Sequence, residues 1–468
     1  MKVSLTLTAD QHSYLFDHLF PGDGLEAAAL ILCGSRADEK RYRLLGREIH
    51  PIPYDACSER TEGRITWSNE IIVPVLEKAE KEGWSVVKVH SHPTGYPKFS
   101  SIDDNGDEEL IPAIRGWVER DILHGSSVML PEGRMFGRYL TAQNTFVPFD
   151  FINIAGDDLI FWYAEPLKSE SLGFAASHIA AFGDSTYEIL QRLSIAVIGC
   201  SGTGSPVIEQ LARLGVGKLI LVDDDIIKDR NLNRVLNSKM DDVRSGRKKV
   251  DVMAEAINGM ELGTELEIYD NNLWDSPKAI KAVSACDLVF GCMDSIDGRF
   301  LLSTLCSHYL LPYFDLGVVI DAIQDGPDQG DIREVCGSVH YLVPGGSSLI
   351  SRGLFTMKQV ADAGLARTDP QNHSQQVKDG YIPAFAEDKP AVISLNMQIA
   401  SLAVNSMLAR LHGFNEEPNR LYRQIQVSLT SMEIFTDEHS GPCQIFIDDV
   451  GKGDQVPLLG LPQLSEDP

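Results

Sequence analysis

Short apolar runs rich in β-branched residues alternate with helical patterns along much of the chain, and this alternation predicts an α/β fold. Met1–Thr8 alternates apolar and polar positions, which is typical of an edge strand. Residues 394–412 have apolar positions at helical spacing and predict a core or dimer helix. Strands separated by helices predict a parallel sheet with crossover connections in the second half of the chain. The elements expected there are helices near 248–258 and 276–284 and from about 297, and strands near 264–269 and 286–291.

Length and composition limit the class of protein. A chain of 468 residues is too long for one typical domain, so two or three are expected. The formal charge of -26 argues against a general nucleic-acid or anionic-membrane binder. The start of the chain lacks a signal-peptide core, and no uninterrupted apolar run reaches about twenty residues, so we expect a cytoplasmic protein without a membrane span. The 8 cysteines form no CxxC pair, which suits a reducing compartment.

The stretch KVHSHPTGYPKFSSIDD places two histidines at the end of a predicted strand. Residues two apart on a strand point to the same face, so His90 and His92 should project side by side. Ser100 and Asp103, three apart at a predicted helix start, also share a face. Two imidazoles and one carboxylate leave a coordination position of Zn2+ free, as in catalytic zinc sites. The simplest alternative is a surface loop with a serine N-cap and two exposed histidines.

This spacing resembles the JAMM motif of the JAB/MPN+ metalloprotease family, whose members cut isopeptide or C-terminal bonds next to ubiquitin-like tails. The family also needs an upstream glutamate, and Glu26 supplies it at the start of an apolar run in DGLEAAALILCGS. The resemblance implies that Glu26 is the general base on the attacking water and that Ser100 donates a hydrogen bond to the developing oxyanion. It implies a Zn2+ site with three protein ligands, His90, His92 and Asp103. It covers residues 1–165, the predicted first domain.

A glycine-rich turn lies between a predicted strand and helix in SIAVIGCSGTGSPVIEQLARLGVGKLILVDDD. Gly199, Gly202 and Gly204 give a glycine-rich turn of the pattern GxxGxG, and Asp223 follows the next predicted strand. On their own, these residues are typical of an NAD-binding site. The segments that follow them change this interpretation.

The segments IIKDRNLNRVL, SGRKKV and GCMDSIDGR come in that order after Asp223. Together they resemble the ATP site of the ubiquitin-activating/MoeB/ThiF adenylyltransferase family, which attaches AMP to the C-terminal glycine of a ubiquitin-like or sulfur-carrier protein. The resemblance implies that Asp223 holds the ribose and Asp294 holds Mg2+. It implies that Asn231, Arg234 and Lys249 reach the phosphates, where the two cations offset charge at the reacting phosphate. Lys248 is the alternative if the register differs by one residue.

The ThiF-like match runs from about residue 172 to 435, so we expect a second domain over residues 166–440 and a C-terminal tail over residues 441–468. Residues 166–185 are expected to form a connector helix.

The chain also departs from this family's pattern. Where relatives carry two CxxC pairs for a structural zinc, this chain has Ser348, Ser351 and Cys443, so no structural zinc is expected there. The segment from Arg367 to Asn396 contains no cysteine that could take the acyl group as a thioester.

Two more positions bear on the activity that the resemblance implies. Cys336 is the nearest candidate nucleophile. A cysteine in such a position is, however, more often a small buried core residue than a nucleophile. Ser177 and His178 stand where an arginine is often contributed across the dimer. Adenylation is then expected to be slower, or another cation to substitute.

The two resemblances imply a bifunctional enzyme of a bacterial ubiquitin-like pathway that uses Zn2+, ATP and Mg2+. Its protease would mature or remove a ubiquitin-like protein, and its second domain would adenylate the exposed glycine. The expected partners are that carrier protein, a conjugating enzyme and a second copy of the chain. Two alternatives stay open: a sulfur-carrier pathway that leads to a thiocarboxylate instead of conjugation or antiviral defence, and a partly inactive scaffold.

Overall fold

The computed structural model describes residues 1–166, 173–323, 330–378, 382 and 390–465. The chain divides into two compact units, and both are mixed α/β, as the sequence predicts. The first unit comprises Met1–Lys168, Ser307–Leu310 and Asp449–Leu459, and the second comprises Ser169–Cys306, Leu311–Asp448 and Gly460–Pro468. Among the described residues, no helix has the length and apolar character needed to cross a membrane.

The first unit is built on a nine-stranded sheet with helices on both faces. Its elements in chain order are β1 Lys2–Thr8, α1 Ala9–Leu19, β2 Ala28–Ala37, β3 Arg41–Pro51, β4 Cys57–Arg60, β5 Ile65–Trp67, α2 Val73–Glu82, β6 Ser85–Ser91, α3 Ser101–Val118, β7 Gly125–Met129, β8 Met135–Leu140, β9 Phe146–Pro148, β10 Phe151–Ala155 and β11 Leu159–Tyr163. The strand order is β11-β10-β1-β3-β2-β6-β7-β8-β9, and β4 pairs with β5 in a separate hairpin.

The apolar run of β2 is continuous because both faces of the strand are covered. Ile31 packs with residues of α1 on one face, and Leu30 and Leu32 pack with residues of α2 and α3 on the other. Side chains of neighbouring β2 residues point to opposite faces of the sheet. Every second residue of β2 therefore faces α3, and this face carries the candidate site described below.

The prediction of an edge strand at Met1–Thr8 was wrong. β1 lies inside the sheet, parallel to both β10 and β3. Its polar positions Ser4, Thr6 and Thr8 are buried, and the Thr6 hydroxyl donates a hydrogen bond to Asn153 Oδ1 at 2.8 Å. The prediction assumed that the polar face of this strand meets water. In the structure this face is buried, and Thr6 finds a polar partner there.

The second unit is built on an eight-stranded sheet. The elements in chain order are α4 Ala176–Arg192, β12 Ser194–Ile198, α5 Gly204–Arg213, β13 Lys218–Val222, α6 Met240–Ser245, α7 Lys249–Met260, β14 Glu265–Tyr269, α8 Pro277–Ser284, β15 Leu288–Gly291, α9 Ile296–Tyr309, β16 Tyr313–Ala322, β17 Ile332–Leu342, α10 Met357–Thr368, α11 Pro370–Lys378, α12 Ile393–His412, β18 Gln424–Ser428 and β19 Glu433–Asp437. The strand order is β14-β13-β12-β15-β16-β17-β18-β19.

The predicted parallel sheet with helical connections is confirmed for β14, β13, β12, β15 and β16. The remaining strands, β17 to β19, continue the sheet in antiparallel fashion. Of the connector helix predicted over residues 166–185, residues 176–185 lie in α4, which continues to Arg192, and residues 167–172 lie outside the described residues.

Residues 449–459, which belong to the first unit, pack against the end of β2. Gly453 forms a parallel bridge with Ser35, and the Asp454 N–H donates to the Ser35 carbonyl at 2.7 Å. A Cβ atom at Gly34 would lie 2.2 Å from the carbonyl oxygen of Gly451. The close backbone approach at this point therefore requires a glycine.

Gly34→Ala should destabilise the first unit, because the added methyl group would collide with backbone that no rotamer change can move. Overpacking of this kind costs about 1–3 kcal/mol and lowers the Tm by a few degrees. The matched control is Gly63→Ala, where an added Cβ meets nothing within 4 Å. Differential scanning calorimetry on both variants measures the effect, and an unchanged Tm for Gly34→Ala would show that residues 449–459 do not pack on β2.

Candidate functional site

The predicted zinc ligands come together between β6 and α3. His90 lies on β6, His92 follows this strand directly, and Asp103 lies in the first turn of α3. His90 Nε2 lies 2.9 Å from Asp103 Oδ1, and His92 Nε2 lies 3.3 Å from Asp103 Oδ2. All three residues are buried, and their ligand atoms lie within 4.8 Å of one another. The alternative of an exposed loop with two surface histidines is therefore excluded.

The His92 ring is oriented by the loop that follows it. Its Nδ1 lies 2.8 Å from the carbonyl oxygen of Tyr96, which places the ring proton on Nδ1. The lone pair on Nε2 then faces His90 Nε2, 3.1 Å away, and Asp103. A histidine held by a carbonyl in this way has the tautomer that metal-ligating histidines use.

Ser100 is the N-cap of α3. Its Oγ accepts a hydrogen bond from the Asp103 N–H at 3.2 Å, and the Ser100 N–H donates to Asp103 Oδ2 at 2.6 Å. This reciprocal capping box starts the helix and fixes the carboxylate of Asp103. Ser100 Oγ is the acceptor in this bond, so the bond does not involve the proton of the Ser100 hydroxyl.

Glu26 lies just before β2, on the sheet face that α3 covers. The β2–β6 register sets Ala28 opposite His90, and this brings the start of β2 to the histidines. The hairpin formed by β4 and β5 fixes the Glu26 backbone, since the Glu26 N–H donates to the Thr61 carbonyl and Arg60 Nε donates to the Glu26 carbonyl, each at 2.8 Å. Burial raises the pKa of the Glu26 carboxyl to about 7.

The pKa values of the His90 and Asp103 side chains are shifted in ways that favour metal binding. Burial, and after it the charge of Lys88, lowers the pKa of His90 to about 4, so the imidazole is neutral at pH 7. Burial would raise the pKa of Asp103, but hydrogen bonds from His90 and His92 outweigh it and hold that pKa below its usual range. A neutral imidazole and an ionised carboxylate are the forms that bind a metal ion.

A buried ion-pair network lies next to these residues, and the sequence analysis missed it. Lys88 Nζ lies 2.6 Å from Asp107 Oδ1, and the Asp107 side chain is 0% exposed. Arg138 donates to Asp107 Oδ2 through Nη2 at 2.6 Å and to Asp104 Oδ1 through Nη1 at 2.5 Å. Spacing in the sequence could have indicated this network. Lys88 lies two residues before His90 on the same strand, and Asp107 lies four residues after Asp103 on the same helix.

In the second unit, the glycine-rich turn between β12 and α5 is closely packed at each of its predicted glycines. Gly199 has a φ of 95°, and a Cβ there would lie 2.6 Å from the Cys292 carbonyl oxygen. A Cβ on Gly204 would lie 1.8 Å from the Gly199 carbonyl oxygen, and one on Gly202 would lie 2.2 Å from Asn396 Nδ2. The turn is therefore closely surrounded by backbone and by a buried amide from α12, which the sequence analysis had not identified.

Asp223 and Lys249 lie together beside this turn. Asp223 Oδ2 accepts a hydrogen bond from the Cys200 N–H at 2.7 Å, and burial raises the pKa of the Asp223 carboxyl. Lys249 Nζ lies 3.5 Å from Asp223 Oδ1 and 2.6 Å from Asp225 Oδ2. Lys248 Nζ instead donates to the Asp224 carbonyl at 2.7 Å. Of the two lysines, Lys249 is thus the one whose ammonium group meets Asp223.

The remaining predicted residues of this site are spread over neighbouring loops. Asn231 is buried, and its Oδ1 accepts from the Lys228 N–H at 2.9 Å. The side chain of Arg234 passes close to the glycine turn, because a Cβ on Gly202 would lie 3.1 Å from its Cδ. Asp294 is exposed between β15 and α9.

A buried polar group next to Asp294 was also missed by the sequence analysis. Arg299 Nε lies 3.1 Å from Asp315 Oδ1, and the Tyr313 hydroxyl donates to the same oxygen at 2.7 Å. The charges of Asp315 and, more weakly, Asp294 raise the pKa of Arg299. These residues join the start of β16 to the start of α9.

Ser348, Ser351 and Cys443, which stand where zinc-binding cysteines were expected from the family pattern, lie close together. Ser348 Oγ donates to Cys443 Sγ at 3.0 Å, and the Ser348 N–H donates to Ser351 Oγ at 2.9 Å. Phe446, three residues after Cys443, is buried against Phe300 with ring centroids 5.7 Å apart. Hydrogen bonds and apolar packing thus hold this corner together.

The structure also places the candidate nucleophile and the residue that replaces the expected arginine. Cys336 lies in the middle of β17, where burial and then the Glu334 charge raise the pKa of its thiol. His178, in place of the expected arginine, lies in α4 with Nε2 3.0 Å from the Arg213 carbonyl oxygen. Of the segment expected to lack a nucleophile, residues 379–381 and 383–389 lie outside the described residues.

Comparison with known proteins relates both units to families. Residues 175–444 match the model of the ThiF family, and residues 8–131 match the model of prokaryotic homologs of the JAB domain. Ubiquitin-like modifier-activating enzyme 5 from Bombyx mori is 28% identical over 172 residues, which are 35% of this chain and 40% of that protein. The enzyme of the same name from Culex quinquefasciatus is 31% identical over 150 residues, which are 29% of this chain and 36% of that protein. The chain thus spans less than half the length of the curated relatives that it matches.

Solved structures similar to this chain include the microcin C7 biosynthetic enzyme MccB in complex with N-formylated MccA. The TM-score is 0.45 at 18% identity, and the match covers 59% of this chain and 74% of that one. A structure of E. coli MccB with ATP has a TM-score of 0.42 at 16% identity and covers 59% of this chain and 75% of that one.

The two family matches contain the two groups of residues described above. Glu26, His90, His92 and Asp103 lie within the match to the JAB domain, and the glycine-rich turn lies within the ThiF match. The ThiF match takes in more than half of the 468 residues. The chain therefore belongs to the ThiF family and carries a JAB domain at its N-terminus, which is the fusion that its sequence predicts.

Proposed function

We propose that this chain is a bifunctional enzyme that cleaves at the C-terminal glycine of a ubiquitin-like protein with the help of zinc and then adenylates that glycine with ATP. The observation that carries this proposal is the burial of Glu26 beside the group formed by His90, His92 and Asp103. Those residues come from one JAB domain, and the same chain carries a ThiF domain. Removal of residues beyond the glycine exposes the carboxylate that the second reaction needs.

The donor set of the first unit fits Zn2+. His90 Nε2, His92 Nε2 and one Asp103 oxygen would hold the ion, and three protein ligands are the number found in catalytic zinc sites. Zn2+ bound there would supply Lewis acidity to the scissile carbonyl and would make water a better nucleophile.

The protein's own groups complete the cleavage. The Glu26 carboxylate takes a proton from the attacking water and delivers it to the leaving amine. The Ser100 hydroxyl, whose oxygen already accepts from the Asp103 N–H, donates its proton to the oxyanion that develops on the carbonyl. The capping box that orients Asp103 therefore also orients the oxyanion donor.

Adenylation in the second unit joins a carboxylate oxygen of the glycine to the α-phosphorus of ATP, and pyrophosphate leaves. Backbone N–H groups at the glycine-rich turn and the start of α5 suit a phosphate. Arg234 and Lys249 offset the negative charge gathered in the transition state, with Asn231 as a further phosphate contact. Asp223 would hold the ribose, and Asp294 would hold Mg2+. The name of the curated relatives, ubiquitin-like modifier-activating enzyme 5, supports a ubiquitin-like protein as the carrier.

The zinc site can be tested by metal analysis. We expect about one Zn2+ per chain by inductively coupled plasma mass spectrometry, because one group with three protein ligands is proposed. His92→Ala and Asp103→Asn should lose the metal. Glu26→Gln should keep the metal and lose cleavage of a carrier extended beyond its glycine, since a general base is not a ligand. Cleavage that persists in Glu26→Gln would show that another group activates the water.

The adenylation site can be tested by carrier-dependent ATP–pyrophosphate exchange. Lys249→Ala and Arg234→Ala should each lower exchange by on the order of 100-fold or more, because each removes a cation from the reacting phosphates. The matched control is Lys248→Ala, whose ammonium group contacts a backbone carbonyl, and it should retain most of the exchange. A greater loss for Lys248→Ala than for Lys249→Ala would assign the phosphate contact to the other lysine.

The transfer step can be tested on a non-reducing gel. We expect the acyl-adenylate to pass directly to an external thiol, because residues 337–442 contain no cysteine and the pKa of Cys336 is raised away from the reactive thiolate form. After incubation with Mg-ATP and a mature carrier, no thiol-sensitive enzyme–carrier band should form. A band that disappears in Cys336→Ala or in Cys443→Ala would contradict direct transfer and identify the nucleophile.

A further inference from the structure

Two polar contacts, one helical turn apart, join α3 to β6. His90 and Lys88 are two residues apart and share a face of the strand, and Asp103 and Asp107 are four apart and share a face of the helix. The first contact is the pair of His90 and Asp103 at 2.9 Å, and the second is the pair of Lys88 and Asp107 at 2.6 Å. The metal-binding group therefore has a buried lysine as its neighbour along the strand.

Charge in this neighbouring network is balanced. Lys88 and Arg138 carry two positive charges, and Asp107 and Asp104 carry two negative ones. The side chains of Lys88, Asp107 and Arg138 are 9%, 0% and 12% exposed, so water screens them little. The Arg138 guanidinium is further enclosed by the ring of Phe99, 3.8 Å away.

Asp107 is the partner on which the neutrality of this network depends. Lys88 lies roughly 7 Å along the strand from His90, since a strand rises about 3.3 Å per residue. At that distance in a poorly screened interior, an unpaired ammonium group would strongly repel a divalent cation. Arg138 would still have Asp104 if Asp107 were neutral, but Lys88 would have lost the carboxylate that it contacts.

We propose that Asp107 sets the affinity of the site for Zn2+ by neutralising Lys88 beside the metal ligands. The inference rests on the proposed function only in that Zn2+ is the ion bound. Asp107 contacts none of the ligand atoms itself and acts on the metal through Lys88. The ion pair of Lys88 and Asp107 thus allows the lysine to lie between β6 and α3 without weakening the binding of Zn2+.

The test measures the dissociation constant for Zn2+ by competition with a chromogenic chelator, on the full chain and without substrate. Asp107→Asn keeps the shape of the side chain and leaves the network with one net positive charge. It should weaken Zn2+ binding about 10- to 100-fold, the effect typical of substitutions at residues that support metal ligands without binding the metal. The double variant Lys88→Met with Asp107→Asn is neutral again and should recover most of that loss. The matched control is Asp104→Asn, which also contacts Arg138 but is 51% exposed and should change the affinity little.

Thermal unfolding in EDTA shows whether each variant folds without metal. If Asp107→Asn does not fold, Lys88→Met alone decides the matter, because it removes the cation and keeps Asp107 paired with Arg138. It should bind Zn2+ at least as tightly as the wild type, and weaker binding by the folded variant would overturn the proposal. Wild-type affinity in folded Asp107→Asn, or no recovery in the double variant, would also overturn it. Failure of the wild type itself to bind Zn2+ would instead contradict the proposed function.

Discussion

The register between β2 and β6 is the constraint on which the geometry of the first unit depends. It sets Ala28 opposite His90, so that Glu26 and the histidines lie on the sheet face that α3 covers. A slip of a single residue would turn these side chains toward α1, because successive residues of a strand face opposite sides. The register is held by apolar residues on both faces of β2, and each face has its own cluster of buried side chains. Packing of the core therefore fixes the chemistry.

Both units contain buried charged side chains, and several of these have a partner within the chain. In the first unit Asp103 meets two imidazoles and Asp107 meets two cations. In the second unit Lys249 meets Asp223, and Arg299 meets Asp315. Burial of an ion without such a partner costs several kcal/mol, so these pairs restrict which side chains the sites can accept. They also keep the sites rigid, because every partner is fixed on a strand, at a strand end or on a helix.

Local spacing could be predicted from the sequence, whereas partners distant along the chain could not. The histidine pair and the Ser-x-x-Asp start of α3 follow from the strand and helix periods within a short stretch. The partnership of Arg138 with Asp107 joins residues 31 apart, and a lone arginine in a sequence indicates only a solvated charge. The polar positions of β1 were misjudged for the same reason, since Asn153 lies 147 residues from Thr6. The antiparallel pairing of β17 with β18 could not be predicted either, because α10, α11 and α12 lie between these strands and such an arrangement normally indicates a parallel crossover.

The contact between Ser35 and Gly453 has a consequence for the order of synthesis. About 400 residues separate the partners, and at roughly 5–20 residues per second a ribosome needs on the order of 20–80 s to make them. During that time the end of β2 has left the ribosome while Gly453 is still untranslated, so its backbone groups at Ser35 are open to other strands. A chaperone, or fast burial of the sheet's two faces, would have to protect the nascent chain from aggregation through this exposed end.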